Sequence, residues 1–243
     1  MKLYSELTSN ILKLMLIALI VVAAVRMLAT LVYVIDMDAY WDYAYNADNF
    51  ARIVRIVLFI INLIVFLVWI YRVHVDMKSL YPNHSRGPGG ALACVMVPVF
   101  NLFYGIPSTF LRIGNSMRSL PTSSAQGRIV GNLAVPLTLI IWISNSITRY
   151  ANKQEVPDER VVLLANALDV VLFSAFLVIC LQIARGLRHA LSSRIATAEA
   201  AAAAVGEEPD VEVAMTAEEQ IAATAAGSEN AESTFSLEKK PAE

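Results

Sequence analysis

Five long apolar stretches, each holding one or two polar residues, constrain this chain more than any other feature. They run at 11–35, 52–73, 91–112, 129–150 and 161–187. A helix needs about 20 apolar residues to cross the hydrocarbon core of a bilayer, and each stretch reaches that length. A soluble helix would show a polar face at a 3.6-residue period, whereas these are apolar nearly all round. With 57% hydrophobic and only 16% charged residues, the chain has few polar side chains with which to clothe a soluble surface. The expectation is an all-α, polytopic membrane helical bundle. The first stretch, about 25 residues, exceeds the 7–15-residue core of a signal peptide, is interrupted by Arg26 and lacks a small-residue cleavage site. It is expected to remain attached as a helix.

Charge divides the chain into a membrane domain, 1–194, and a tail, 195–243. The net charge is −2, yet from Ile195 onward eleven acidic residues face only Lys239 and Lys240. That leaves the tail near −9 and the membrane body near +7. Rich in Ala and Glu, with Phe235 its one aromatic residue, the tail lacks the apolar surface to form a core and is expected to be mostly disordered. Within it, 195–205 reads as an extension of the last helix, stopped by Gly206, and Thr216 with Glu219 reads as a capping box. Its negative charge excludes nucleic acid as a partner and suits a cytoplasmic protein partner.

Basic residues favour the cytoplasmic side of a membrane. Lys2 and Lys13 therefore place the N-terminus inside. The connections on either side of the third stretch are both basic, with Arg72, Lys78 and Arg86 before it and Arg112, Arg118 and Arg128 after it. Five crossings would put these connections on opposite faces. Pro98 and Pro107 interrupt the third stretch, with Asn101 and Gly105 between them, and broken backbone at membrane depth is tolerated against protein or a wet cavity. A broken, re-entrant third stretch makes four crossings and puts both termini in the cytoplasm; a kinked fifth crossing is the alternative. The implied location is a bacterial inner membrane.

Arg26 and Asp169 stand inside apolar stretches, each roughly 12–13 Å from a span end at 1.5 Å per residue. An unpaired charge at a helix centre costs on the order of 2.5–3.5 kcal/mol, so the two are expected to pair, with Asn166 on the same helical face as Asp169. Such a pair reads as a lock between the first and last spans or as a proton- or ion-coupled relay. Asn62, Asn132 and Asn145, with Trp142 beside the last, read as interhelical polar contacts. Trp69 and Arg72, at a span end, read as an interfacial anchor or a contact to a lipid head. The acidic, aromatic run from Asp36 to Tyr45 reads as an outer interfacial belt with solvated carboxylates, since it lacks the Gly and Glu of a calcium loop.

Several motifs taken together resemble a family of bacterial multi-pass membrane proteins known as domain of unknown function 4328. They are the aromatic–Arg ending Trp69-Ile-Tyr-Arg72, the entry Arg86-Gly-Pro-Gly-Gly90, the break Pro98-Val-Phe-Asn101-Leu102 and the later Trp142-Ile-Ser-Asn145. The resemblance covers about residues 50–190. It departs at Cys94-Val-Met96, where a tryptophan pair is expected, and at Pro107, which sits further along than the family's proline. It implies a membrane fold and carries over no activity.

No chemistry-bearing constellation stands out. Cys94 and Cys180 lie in apolar stretches without metal-ligand spacing. His74, His84 and His189 sit outside the spans without an i, i+4 pair, and Ser108 and Ser116 have no histidine within their segment. Neither metal, cofactor nor catalytic residue is expected. The leading expectation is a non-enzymatic scaffold or accessory subunit, associating with lipid and with a membrane-protein partner or itself. The rival is a small channel or proton-coupled transporter built on Pro98–Asn101 and the Arg26–Asp169 pair.

Overall fold

Polar side chains at their ends decide where the apolar stretches begin and stop. In the computed structural model, residues 3–96, 105–151, 153–154 and 158–206 are described. Helix α1 (Glu6–Ile35) ends at Asp36, whose carboxylate accepts the N–H groups of Asp38 and Ala39 and so opens the short α2 (Met37–Ala39). A π-helical turn, Tyr40–Ala44, then feeds α3 (Tyr45–Leu80). Next come α4 (Pro88–Met96), α5 (Ile106–Arg118), a 3-10 turn (Pro121–Ser123), α6 (Ser124–Ala151) and α7 (Glu159–Gly206). There is no strand among the described residues.

Among the described residues four segments are long and apolar enough to cross a membrane: α1, the run Met37–Leu80, Pro121–Ala151 and Glu159–Ala203. The protein is a multi-pass membrane bundle. The third apolar stretch is not among the four. Its described helical parts are α4 and α5, of 9 and 13 residues, or roughly 14 and 20 Å, and neither alone spans a core of about 30 Å. Pro107 falls in the first turn of α5, where its missing N–H costs nothing. Pro98 and Asn101 lie outside the described residues.

Each spanning helix is apolar on two faces. Along α1, Leu12, Leu16, Leu19 and Ala23 are buried, while Leu7, Leu14, Val21 and Leu28 point outward and are more than half exposed. An aqueous protein would place polar residues on that outer stripe; lipid accepts leucine and valine there. Leu12 and Leu16 join Phe66, Ile70 and Val73 of α3, Phe110 and Ile113 of α5, and Ile179 and Ile183 of α7 in one core, while Leu19 and Ala23 form a second, smaller cluster with Phe173 of α7.

Hydrogen bonds fix the antiparallel arrangement. The Asp76 carboxylate of α3 accepts the N–H groups of Tyr4 (3.0 Å) and Ser5 (2.8 Å), capping α1 from another helix. Trp69 Nε1 donates to Ser9 Oγ at 2.8 Å, Tyr81 Oη to Ser123 Oγ at 2.9 Å, and Arg194 to the Leu80 carbonyl at 2.9 Å. The start of α1, the end of α3 and the start of α6 thus share one end of the bundle, here the base. The turn between α1 and α3 forms the other end, the crown. Helices α5 and α6 make the closest approach: a Cβ on Gly127 would stand 2.6 Å from the Gly114 carbonyl oxygen, and one on Gly114 2.9 Å from Gly131 N.

The chain divides into two compact units, Met1–Ala196 and Thr197–Glu243. The last helix is described as far as Gly206, and the stop expected at that glycine lies at the edge of the described residues. The remainder of the acidic tail, with Thr216 and Glu219, lies outside the described residues.

Candidate functional site: a polar-headed cavity inside the bundle

Between α1, α3, α5, α6 and α7 lies a cavity of about 310 Å³. That volume is at the small end of the range for ligand sites, about 300–1,000 Å³. The wall from α3 follows from sequence: Arg55, Phe59, Asn62, Phe66 and Trp69 recur every three or four residues and share one helical face. Opposite stand Asp169, Leu172, Phe173, Phe176 and Cys180 of α7, with Ser144, Asn145 and Thr148 of α6 to the side.

The cavity is polar at one end and aromatic at the other. At the crown end Arg55 Nη2 donates to Asp169 Oδ2 at 2.5 Å, and Ser144 Oγ reaches Asp169 Oδ1 at 3.5 Å. Toward the base Phe66 is the hub of a cluster, its centroid 5.8 Å from Trp69, 6.0 Å from Phe176 and 6.4 Å from Phe110. Two lining atoms are buried without a hydrogen-bond partner, Arg55 Nε and Asn62 Oδ1. Buried polar groups are ordinarily satisfied, and here two orphans share one cavity wall. Phe59, Leu63, Asn145 and Thr148 are exposed, so the cavity opens on the lipid-facing flank.

The structure replaces the expected Arg26–Asp169 pair with two pairs. Arg26 Nε donates to Asp48 Oδ1 at 3.2 Å, and Tyr40 Oη donates to Asp48 Oδ2 at 3.2 Å, while Asp169 takes Arg55. The level match survives: Asn166 Nδ2 donates to Thr30 Oγ1 at 2.8 Å, and Thr30 lies one turn beyond Arg26 as Asn166 lies nearly one turn before Asp169. The partners differ because α3 enters the bundle with Asp48 and Arg55 already two turns apart on its inner face. The signal was in the sequence: Arg55 opens the stripe that ends at Trp69.

Other expectations change too. Trp69 is no interfacial anchor; it is 1% exposed, packed in the core and tied to Ser9, whereas Arg72 is half-buried. Asn62 does not bridge helices through its oxygen but lines the cavity, as Asn145 does. Asn132 does bridge, accepting from Arg118 Nη2 at 3.3 Å, and Trp142 is exposed on α6. Asp48, three residues beyond the acidic, aromatic run, is the partner of Arg26 and Tyr40.

At the base, spacing alone hid a second polar cluster. His84 Nδ1 stands 2.8 Å from Ser116 Oγ, across 32 residues, and its ring lies 5.2 Å from that of His74. Arg86 donates to Ser108 and Thr109, and Arg112 to Ser85, so the 81–87 connection is laced onto one face of α5. His74 Nδ1 meets the Ile70 carbonyl at 2.8 Å, and because a carbonyl only accepts, that nitrogen carries the proton. Among the described residues no group of three or more His, Cys, Asp or Glu is placed to hold a metal ion.

Burial, then the charges of Arg86 and Arg112, hold the His84 imidazole below its ordinary value of 6.5. The unfolded chain therefore binds the proton more readily, so stability is full above about pH 6.5 and falls as the pH drops toward the folded value. His74, Arg86 and Arg112 are the titratable or charged groups facing it. Thermal unfolding in detergent between pH 8 and 5 is expected to show this loss, and His84→Gln to flatten its slope. An equal slope in the variant would assign the loss elsewhere.

Residues 36–112 match the model of a family described as domain of unknown function (DUF4328). The match is narrower than the resemblance in the sequence: it takes in Trp69–Arg72, Arg86–Gly90 and Pro98–Leu102 and stops before Trp142–Asn145. It contributes Asp48, Arg55, Asn62, His74 and His84, but neither Asp169 nor Ser116. No curated protein and no solved structure matches the chain.

Proposed function

We propose that this protein is a membrane-embedded binding protein that takes a small amphiphile from the bilayer into the cavity between its helices. The observation that carries this reading is the cavity itself, with Arg55 and Asp169 at one end, an aromatic cluster at the other, and unpartnered polar atoms on the wall between. An aromatic and aliphatic lining with a few placed polar groups is the usual form of a small-molecule site. The non-enzymatic part of the sequence reading stands within this proposal. So does the bacterial inner membrane with both termini in the cytoplasm, supported by the basic residues that gather at the base.

The scaffold reading remains as a second role, supported by the acidic tail, whose charge suits a basic cytoplasmic partner. Transport coupled to an Arg26–Asp169 relay loses its motivation, since each of those residues has another partner. A cavity open to the lipid flank suits capture of an amphiphile better than passage of an ion.

Trp69, buried in the cavity wall, serves as the reporter. With Trp41→Phe and Trp142→Phe as background, a bromoalkyl amphiphile titrated into nanodiscs is expected to quench Trp69 saturably. Leu172→Phe, which fills part of the space, is expected to weaken that quenching. Quenching that rises in proportion to membrane bromine without saturating, or that ignores Leu172→Phe, would remove the binding reading.

A further inference from the structure

Arg55 and Asp169 are the only charged residues among the described residues that line the cavity, and they neutralise each other. At the crown Arg26 and Asp48 are likewise matched to each other, and Arg52, one turn before Arg55, is exposed and donates to Asn49. A carboxylate or ammonium head entering this space would meet no net charge of opposite sign, and moving an ion out of water without one is strongly unfavourable. An uncharged head escapes that cost. The vacant hydrogen-bonding capacity is specific as well. Arg55 Nη2 is committed to Asp169, but Arg55 Nε–H is buried and donates to nothing. A guanidinium never accepts, so only an acceptor satisfies it. Asn62, seven residues on and about 10 Å along the same helix face, offers a second polar point whose amide can turn either end inward. Beyond it the aromatic cluster around Phe66 provides the apolar floor.

We infer that the cavity selects an uncharged lipid whose head presents a carbonyl oxygen to Arg55 Nε, with its hydrocarbon part against Phe66, Phe110 and Phe176. This inference rests on the binding reading above and adds the chemistry of the head. An acyl ester and a quinone ring both carry such a carbonyl, and the test separates them.

Native mass spectrometry of the full chain released from nanodiscs would compare three ligands of equal tail length: methyl decanoate, a decyl-substituted benzoquinone, and decanoate at pH 8. The expected result is retention of at least one carbonyl ligand about tenfold more strongly than decanoate, since the ion bears the desolvation cost and the neutral head does not. Which of the two is kept identifies ester or quinone as the source. Arg55→Gln supplies the internal check on the head contact and is expected to narrow the gap. Asp169→Asn leaves Arg55 unmatched and is expected to raise decanoate retention relative to the neutral ligands. Decanoate held as well as or better than both carbonyl ligands would overturn the inference and leave the binding reading standing. Retention of none of the three, with unsaturable quenching of Trp69, would bring down both. Should Asp169→Asn fold poorly, the Arg55→Gln comparison carries the test, and a gap between carbonyl ligand and decanoate that it leaves unchanged would count against the inference.

Discussion

Gly127→Ala is expected to cost about 3 kcal/mol or more and to leave little folded protein in detergent, as overpacking does when the backbone itself is the obstacle. The added methyl would stand 2.6 Å from the Gly114 carbonyl oxygen and 2.8 Å from Arg118 N. Neither atom belongs to a side chain that can rotate away, so α5 and α6 must separate. Separation loosens the dispersion contacts that hold helices together in lipid, where no hydrophobic driving force replaces them. Gly186→Ala is the control. Its methyl would meet the flexible end of the Met117 side chain, which can swing aside, and the expected loss is below about 1 kcal/mol. Thermal unfolding with monodispersity in detergent distinguishes the two; equal losses would mean that close backbone approach is not what joins α5 to α6.

Asp169→Ala is expected to lose about 2–3 kcal/mol, because Arg55 is left as an unpaired cation inside the membrane. Arg55 keeps about a third of its side-chain exposure, which limits the penalty by letting the guanidinium reach toward the flank. Removing both charges with Arg55→Met and Asp169→Leu is expected to restore most of the stability, since an isosteric apolar pair often matches a buried ion pair. Unfolding of all three variants in bicelles would check this. A double variant no more stable than Asp169→Ala would show that the two side chains do something beyond neutralising each other.

The membrane class and its four crossings were legible because they depend on length and apolar content, which any window along the chain reports. Partners were less legible. Arg26 and Asp169 were correctly placed at one level, yet helix rotation, which depth does not report, gave each a different mate. Trp69 was misread because an aromatic–Arg pair at a span end looks interfacial, while Ser9, sixty residues away, supplies the indole with a buried acceptor. Ser116 and His84 were passed over for want of a neighbour within their segments; they meet through the fold of the 81–87 connection onto α5. The glycines 127 and 131 stood in the sequence as a small-residue pair four apart, and only the facing Gly114 gives that spacing its meaning.

The cap on α1 bears on the order in which the chain is made. The carboxylate that satisfies Tyr4 and Ser5 belongs to Asp76, synthesised some seventy residues later. Until it arrives, the two N–H groups just ahead of α1 have no acceptor, and Ser9 waits in the same way for Trp69. The hairpin of α1 and α3 is therefore the smallest unit in which these groups are answered, while Arg55 and Thr30 still wait for Asp169 and Asn166 of α7, and an affinity tag fused ahead of Met1 loads the joint on which that hairpin closes.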